Sequence, residues 1–234
     1  MPSAAFLEIQ PSLTAQVFES LRSDIIACRI APNARLRLDE LRERFGVAAS
    51  PVREALMRLE AEGWATLEQN RGFRAAPVSK PHLFDLAATR IEIEEVALKW
   101  AIERAGVQWE AEVLAAFHRL AREPKYGDGA GAEVSEVWKR AHRSFHRALV
   151  SGCASPTLCA IHTTLFDQGE RYVALSIMHK ASPRNDVDEH RAIMEAAIAR
   201  DATRTVHLNR KHVEKTAEKV SQAISASEEW RERP

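Results

Sequence analysis

The sequence predicts a mainly α chain in two parts: an N-terminal winged helix-turn-helix with a small β-hairpin wing over residues 1–79, then an all-α helical bundle over residues 80–234. Three observations predict it. Apolar residues recur at helical spacing along most of the chain. Turn-forming residues separate two short apolar runs near residue 70. Beyond residue 82 no stretch alternates as a strand does.

The elements follow in order. Leu13, Val17, Leu21 and Ile25 recur every four residues and mark a helix over about 12–30, which Ala31-Pro32-Asn33 stops. A short helix follows over 38–45, with Gly46 placed for a left-handed C-terminal cap. Ser50-Pro51 opens the next helix, serine as N-cap and proline at the first helical position. Its buried face is Val52, Ala55, Leu56 and Leu59, and Gly63 ends it. Trp64–Leu67 and Phe73–Val78 then flank Gln69-Asn70-Arg71-Gly72, a hairpin composition. Ser79-Lys80-Pro81-His82 reads as a linker. Six helices are expected beyond it, over roughly 83–105, 109–122, 133–151, 157–181, 186–200 and 203–227. The Gly/Pro-rich 123–132 and the shorter 151–156, 181–185 and 200–202 break them.

Composition excludes several classes. Hydrophobic residues make up 45% of the 234 and charged residues 28%, enough to bury a core. Net charge is zero, so bulk charge says nothing about nucleic acid and only a local arrangement of arginines can. Three cysteines without paired spacing point to reduced thiols in the cytoplasm. Cys28 is expected in the core, and Cys153 and Cys159 flank a loop. The first residues lack the basic flank and apolar core of a signal peptide. No run approaches the length of a membrane span.

Helix, turn, helix and hairpin in that order put the second helix of the motif in a major groove, N-terminus first. Arg53 lies in its first turn, opposite Leu56 and Leu59, where a guanidinium can fork onto guanine or clamp a phosphate. Ser50 can donate to a phosphate, with Pro51 beside it. Arg35 and Arg37 precede the first motif helix and can reach the backbone, and Arg71 and Gly72 suit a wing tip over a minor groove. The alternative for each charge is a solvated face. The run from Leu38 to Val78 resembles the winged helix of the GntR regulators, through Gly46-Val47, Pro51-Val52-Arg53-Glu54-Ala55-Leu56, Leu59-Glu60-Ala61-Glu62-Gly63 and Gly72. The resemblance implies that Ser50 and Arg53 contact DNA. It also implies an arginine just before Ser50, where this chain has Ala49, so the operator sequence is expected to differ.

Four of the nine histidines are placed for a metal. His142 and His146 share a helix face at i,i+4. His190 and His212 stand equally far from a helix–helix break near residue 201, roughly 16 Å along each helix at 1.5 Å per residue. Ordinary surface or core histidines are the alternative. His118, His162, His179 and His207 show no partner pattern and read as structural or surface. Trp64, Trp100, Trp109 and Trp138 read as packing. Residues 83–227 resemble the FCD domain of FadR-type GntR regulators, through Arg90-x3-Glu94, Phe145-His146-Arg147-Ala148-Leu149, Glu189-His190-Arg191-Ala192-Ile193 and His212. That resemblance implies a metal held by one Asp and three His, with His142 standing where the Asp would be. Four imidazoles favour Zn²⁺ or Ni²⁺ and give a more positive site, attractive to an anion. The resemblance also turns Arg90 toward an effector carboxylate; the alternative is a local salt bridge with Glu94.

The expectation is a homodimeric transcription regulator, a repressor by family habit. Double-stranded operator DNA and a small organic acid are its partners, with no membrane. A helical metal-dependent enzyme is the rival, but no general base stands beside the His pair as in H-E-x-x-H, and a winged helix has no place in it. A regulator in which the ion itself is the signal is the second rival.

Overall fold

The computed structural model describes residues 11–126, 134–178 and 186–225. His179, the break at 181–185 and most of that at 123–132 fall outside them. The chain divides into two compact units that part between Pro77 and Val78.

The first unit holds three helices and a sheet. Helix α1 (Leu13–Ile26) starts where the Ser12 side chain accepts from the Ala15 N–H, 3.2 Å away, and stops four residues short of the expected end. Asp24 on its last turn accepts from Arg29 at 2.6 Å and from Arg44 of α2 (Leu38–Phe45) at 2.5 Å, tying the two helices together. Gly46 caps α2 at φ +63°, as its position predicts. Helix α3 (Ala49–Ala61) buries Val52, Ala55, Leu56 and Leu59 against Val17, Phe18, Leu21 and Ile25 of α1, with Trp64 closing the core. Its N-cap is Ala48, not Ser50, so Ser50 and Pro51 sit at the second and third helical positions. The proline is tolerated there because those N–H groups have no intrahelical partner in any case.

The wing is a three-stranded antiparallel sheet rather than a bare hairpin: β1 (Arg35–Leu36), β2 (Ala65–Glu68) and β3 (Gly72–Ala75), ordered β1-β3-β2. Strand β1, two residues long, shows no period in the sequence. It is made by its partner, with Arg35 opposite Arg74 and Leu36 opposite Phe73. Asn70 and Gly72 take positive φ in the turn and leave Arg71 exposed at its tip.

The second unit is six helices: α4 (Lys80–Arg104), α5 (Val107–Arg122), α6 (Glu136–Ser151), α7 (Pro156–Met178), α8 (Val187–Ile198) and α9 (Ala202–Ile224). The expected linker at 79–82 is the start of α4. Ser79 caps it by accepting from the His82 N–H at 3.2 Å, and Pro81 occupies the first turn. The core runs through α4, α5, α6 and α8, with Trp109, Phe117, Trp138, Phe145 and Leu149 among its members. Gly152, after α6, lets that core close. A Cβ there would stand 2.7 Å from Ala105 Cβ and 2.9 Å from Trp109 Cδ1. Trp109 cannot yield without breaking its 2.8 Å bond to the Ala148 carbonyl. Gly152→Ala is expected to cost about 1–3 kcal/mol by overpacking, read as a lower urea midpoint at unchanged slope. An unchanged midpoint would show that the turn relaxes freely.

Candidate metal centre and nucleic-acid face

In the first unit, α3 turns its apolar stripe inward and Arg53 outward. Among the described residues of this unit, Arg35, Arg53 and Arg71 are the arginines without a carboxylate within 4 Å. The others pair: Arg22 with Glu19, Arg29 and Arg44 with Asp24, Arg37 with Glu40 at 2.8 Å, Arg42 with Asp39, Arg58 with Glu62 and Arg74 with Glu68. Unpaired exposed guanidinium groups keep their charge available for phosphate or guanine. No side chain caps the start of α3, so its first N–H groups are also free for an anion. Ser50 Oγ donates to Glu54 Oε1 at 3.0 Å, and Thr14 of α1 donates to the other oxygen at 3.0 Å. Glu54 thus anchors α3 to α1 and orients Ser50, a role that no pattern in the sequence points to. Gly72 stands beside Arg71 at the wing tip, and Pro51 is half-buried.

In the second unit the four histidines meet. The buried stripe of α6 is Trp138, His142, Phe145, His146 and Leu149; α8 adds His190 and α9 adds His212. One ring nitrogen from each lies within 4.8 Å of all the others, and all four residues are buried. His146 Nε2 is 3.2 Å from His142 Nε2 and 3.2 Å from His190 Nε2. Trp138 stacks on His142 with ring centroids 4.7 Å apart, and Phe166 of α7 leans on His142 and His146. Trp138 therefore packs, as expected, but against a histidine of the cluster.

The donor set fits a metal. Burial first, then the neighbouring imidazoles, holds His142 and His146 well below the ordinary histidine range and pushes His190 down to about 3. Neutral imidazole is the ligating form. One ring nitrogen has either a lone pair or a hydrogen, so His146 Nε2 serves one of its two close neighbours and not both. Nitrogens on a tetrahedral ion, with bonds of about 2.05 Å, stand about 3.3 Å apart, close to the two 3.2 Å spacings around His146, while the full set spans up to 4.8 Å.

Arg90 makes the local salt bridge. Its Nε and Nη2 donate to Glu94 Oε1 at 3.1 and 2.9 Å, and Asn209 of α9 holds the other oxygen at 2.7 Å. Burial alone would raise the Glu94 carboxyl; Arg90 and His162 outweigh it and hold that carboxyl well below its usual range. The remaining Arg90 nitrogen, Nη1, lies against Gly169 of α7, where a Cβ would come within 2.7 Å of it. The charge of Arg90 is felt at His146 and at Glu170. His162, whose sequence context suggests a structural or surface residue, is buried 3.5 Å from Glu94. His118 and His207 are exposed. Cys28 is in the core; Cys153 and Cys159 lie 3.6 Å apart as free thiols. A groove of about 580 Å³ between α4 and α9, lined by Phe84, Ile91 and Arg210 among others, includes neither Arg90 nor any of the four histidines.

Comparison with known proteins identifies both units. Residues 13–74 match the family of bacterial regulatory proteins, gntR family, and residues 85–215 match the FCD domain. The HTH-type transcriptional regulator BphR of Paraburkholderia xenovorans is 37% identical over 90% of this chain and 86% of its own length. The HTH-type transcriptional repressor GlaR of Escherichia coli is 31% identical over 88% and 95%. The solved structure of E. coli McbR/YncC has the same fold, with TM-score 0.73 at 23% identity over 91% of this chain and 99% of that one. Among the described residues no helix is long and apolar enough to cross a membrane. The chain belongs to the GntR family, carries an FCD domain behind its winged helix, and is a DNA-binding transcriptional regulator, not an enzyme.

Proposed function

We propose that this regulator is a homodimeric, cytoplasmic repressor whose hold on operator DNA is set by a small carboxylate bound beside a divalent ion. Residues 1–79 bind DNA; residues 80–234 sense and dimerise. Ser50, Pro51 and Arg53 read the major groove, Arg35 and Arg37 reach the backbone, and Arg71 with Gly72 lies over the minor groove. His142, His146, His190 and His212 hold Zn²⁺ or Ni²⁺. The ion supplies a Lewis-acid position for a carboxylate oxygen, and Arg90 offers Nη1 to the same carboxylate. The observation that carries this reading is the convergence of four buried imidazole nitrogens within 4.8 Å. The repressor sense is supported by the name of the relative GlaR.

An effector shifts the DNA equilibrium only by its differential affinity for the two states. Fluorescence anisotropy on the upstream DNA, with metal-loaded and chelated protein, tests this. Short mono- and dicarboxylates are expected to weaken DNA binding only in the loaded form. A second reading, with the ion as signal, is favoured by the four protein ligands, which leave few positions for an effector. It predicts that DNA affinity follows the metal with no carboxylate present. DNA affinity indifferent to both would end both readings.

A further inference from the structure

Two carboxylates stand directly behind the histidines. Glu189, on the first turn of α8 beside His190, does not serve its neighbour but reaches across to α9. Its Oε2 accepts from His212 Nδ1 at 2.9 Å, and its Oε1 accepts from Lys215 Nζ at 2.5 Å. His212 therefore has Nε2 left to offer the cluster. On the other side, Glu170 of α7 places Oε1 3.7 Å from His142 Nδ1. That Nδ1 is buried without a hydrogen-bond partner, while the Nε2 of the same ring faces His146. Both carboxylates thus address the ring nitrogen turned away from the cluster.

We infer that the centre carries its negative charge one layer out, with Glu189 positioning His212 and Glu170 positioning His142. This rests on the metal reading above. A dication among four neutral imidazoles is a buried double positive charge, costly in a low-dielectric interior. Two outer carboxylates offset part of that charge, although Lys215 on Glu189 returns some of it. Glu189 also fixes the Nδ1–H tautomer of His212 that presents Nε2 inward, and the Glu170 charge, 3.7 Å from His142 Nδ1, favours the same tautomer there. The site is then less attractive to an anion than four imidazoles alone suggest, and an arriving carboxylate depends correspondingly more on Arg90.

The test is Zn²⁺ affinity of the full chain, by competition with a chromophoric chelator, together with the visible ligand-field bands of the Co²⁺-loaded protein. Glu189→Leu removes both acceptor and charge and is expected to weaken Zn²⁺ binding about 10- to 100-fold. Glu189→Gln keeps an acceptor oxygen and loses the charge, so its loss is expected to be smaller. Glu170→Gln is expected to add to either. The Co²⁺ bands are expected to shift in each variant, and in Glu170→Gln the thermal midpoint of the metal-free protein is expected to change less than in Glu189→Leu, which leaves His212 Nδ1 without its acceptor. If the wild type binds no equivalent of Zn²⁺, the metal reading falls and this inference with it. If His212→Ala weakens Zn²⁺ but the glutamate variants bind like wild type, this inference alone falls. It falls as well if the glutamate variants leave the Co²⁺ bands unmoved, since the role is then structural.

Discussion

Arg53→Ala is expected to weaken operator binding by about 5- to 150-fold, the worth of one base-edge contact of about 1–3 kcal/mol. The fold is expected to stay intact. Arg53 is exposed on α3, with no carboxylate near it, so alanine breaks nothing inside the protein. A surface change of this kind moves stability by about 0.5 kcal/mol or less. Anisotropy titrations at fixed salt, on operator and on random duplex, separate the two uses of a guanidinium. If Arg53 forks onto guanine, its removal narrows the affinity gap between the two DNAs. If it clamps a phosphate, its removal weakens binding to both alike and lowers the salt slope by about one. Arg71→Ala at the wing tip is the companion measurement, expected to show the second pattern. Operator affinity unchanged in Arg53→Ala would remove α3 from the groove.

How far these sites are legible in the sequence follows from how local their signals are. The stripe of α3 and the cap at Gly46 are written within one or two helical turns, and both are in the structure where the sequence puts them. The start of α3 is displaced from the expected position because Ser50 is a better N-cap in isolation than Ala48. What decides the matter is Glu54, which takes the Ser50 hydroxyl four residues on. Strand β1 leaves no trace in the sequence because its pairing partner lies 37 or more residues away, and two residues show no period. The segment 79–82, linker-like in composition, is helical because its serine caps and its proline fits the first turn.

The histidine cluster is legible for a different reason. An i,i+4 pair and two residues level across one helical hairpin are geometric facts that sequence spacing encodes. The carboxylates behind it are not. Glu170 meets His142, and Glu189 meets His212, only through packing of α7 on α6 and α8 on α9. Spacing offers no cue, and Glu189 beside His190 points to the wrong partner. Arg90 carries two readings that spacing cannot separate. The structure shows the bridge to Glu94 together with one further nitrogen facing Gly169.

Acid is expected to unfold the metal-free protein early, and His142, His146 and His190 set the window. His142, His146 and His190 are held neutral in the folded state, His190 down to about 3, whereas in the unfolded chain each titrates near 6.5. Below that value the unfolded state binds protons that the folded state refuses. Stability therefore falls as pH falls, by about 1.4 kcal/mol per unit for each group. Three such groups amount to about 4 kcal/mol per pH unit, against a total of about 5–15 kcal/mol for a domain. The ionised Glu94 adds to the loss at lower pH, since its folded value is depressed. Glu170, raised by burial, works in the opposite sense, as one group against three histidines. Urea unfolding with chelator present is expected to show a level midpoint down to about pH 7 and a steep decline from about 6.5. His146→Leu is expected to flatten that decline by about one proton, because it removes one refused proton and leaves an apolar side chain among Phe166 and Phe145. Added Zn²⁺ raises the midpoint at neutral pH and steepens the acid decline, because ligating nitrogens must stay deprotonated. A midpoint that stays level from pH 7.5 to 5 in the chelated wild type would mean that the folded imidazoles take up protons as readily as those of the unfolded chain, and would end this account.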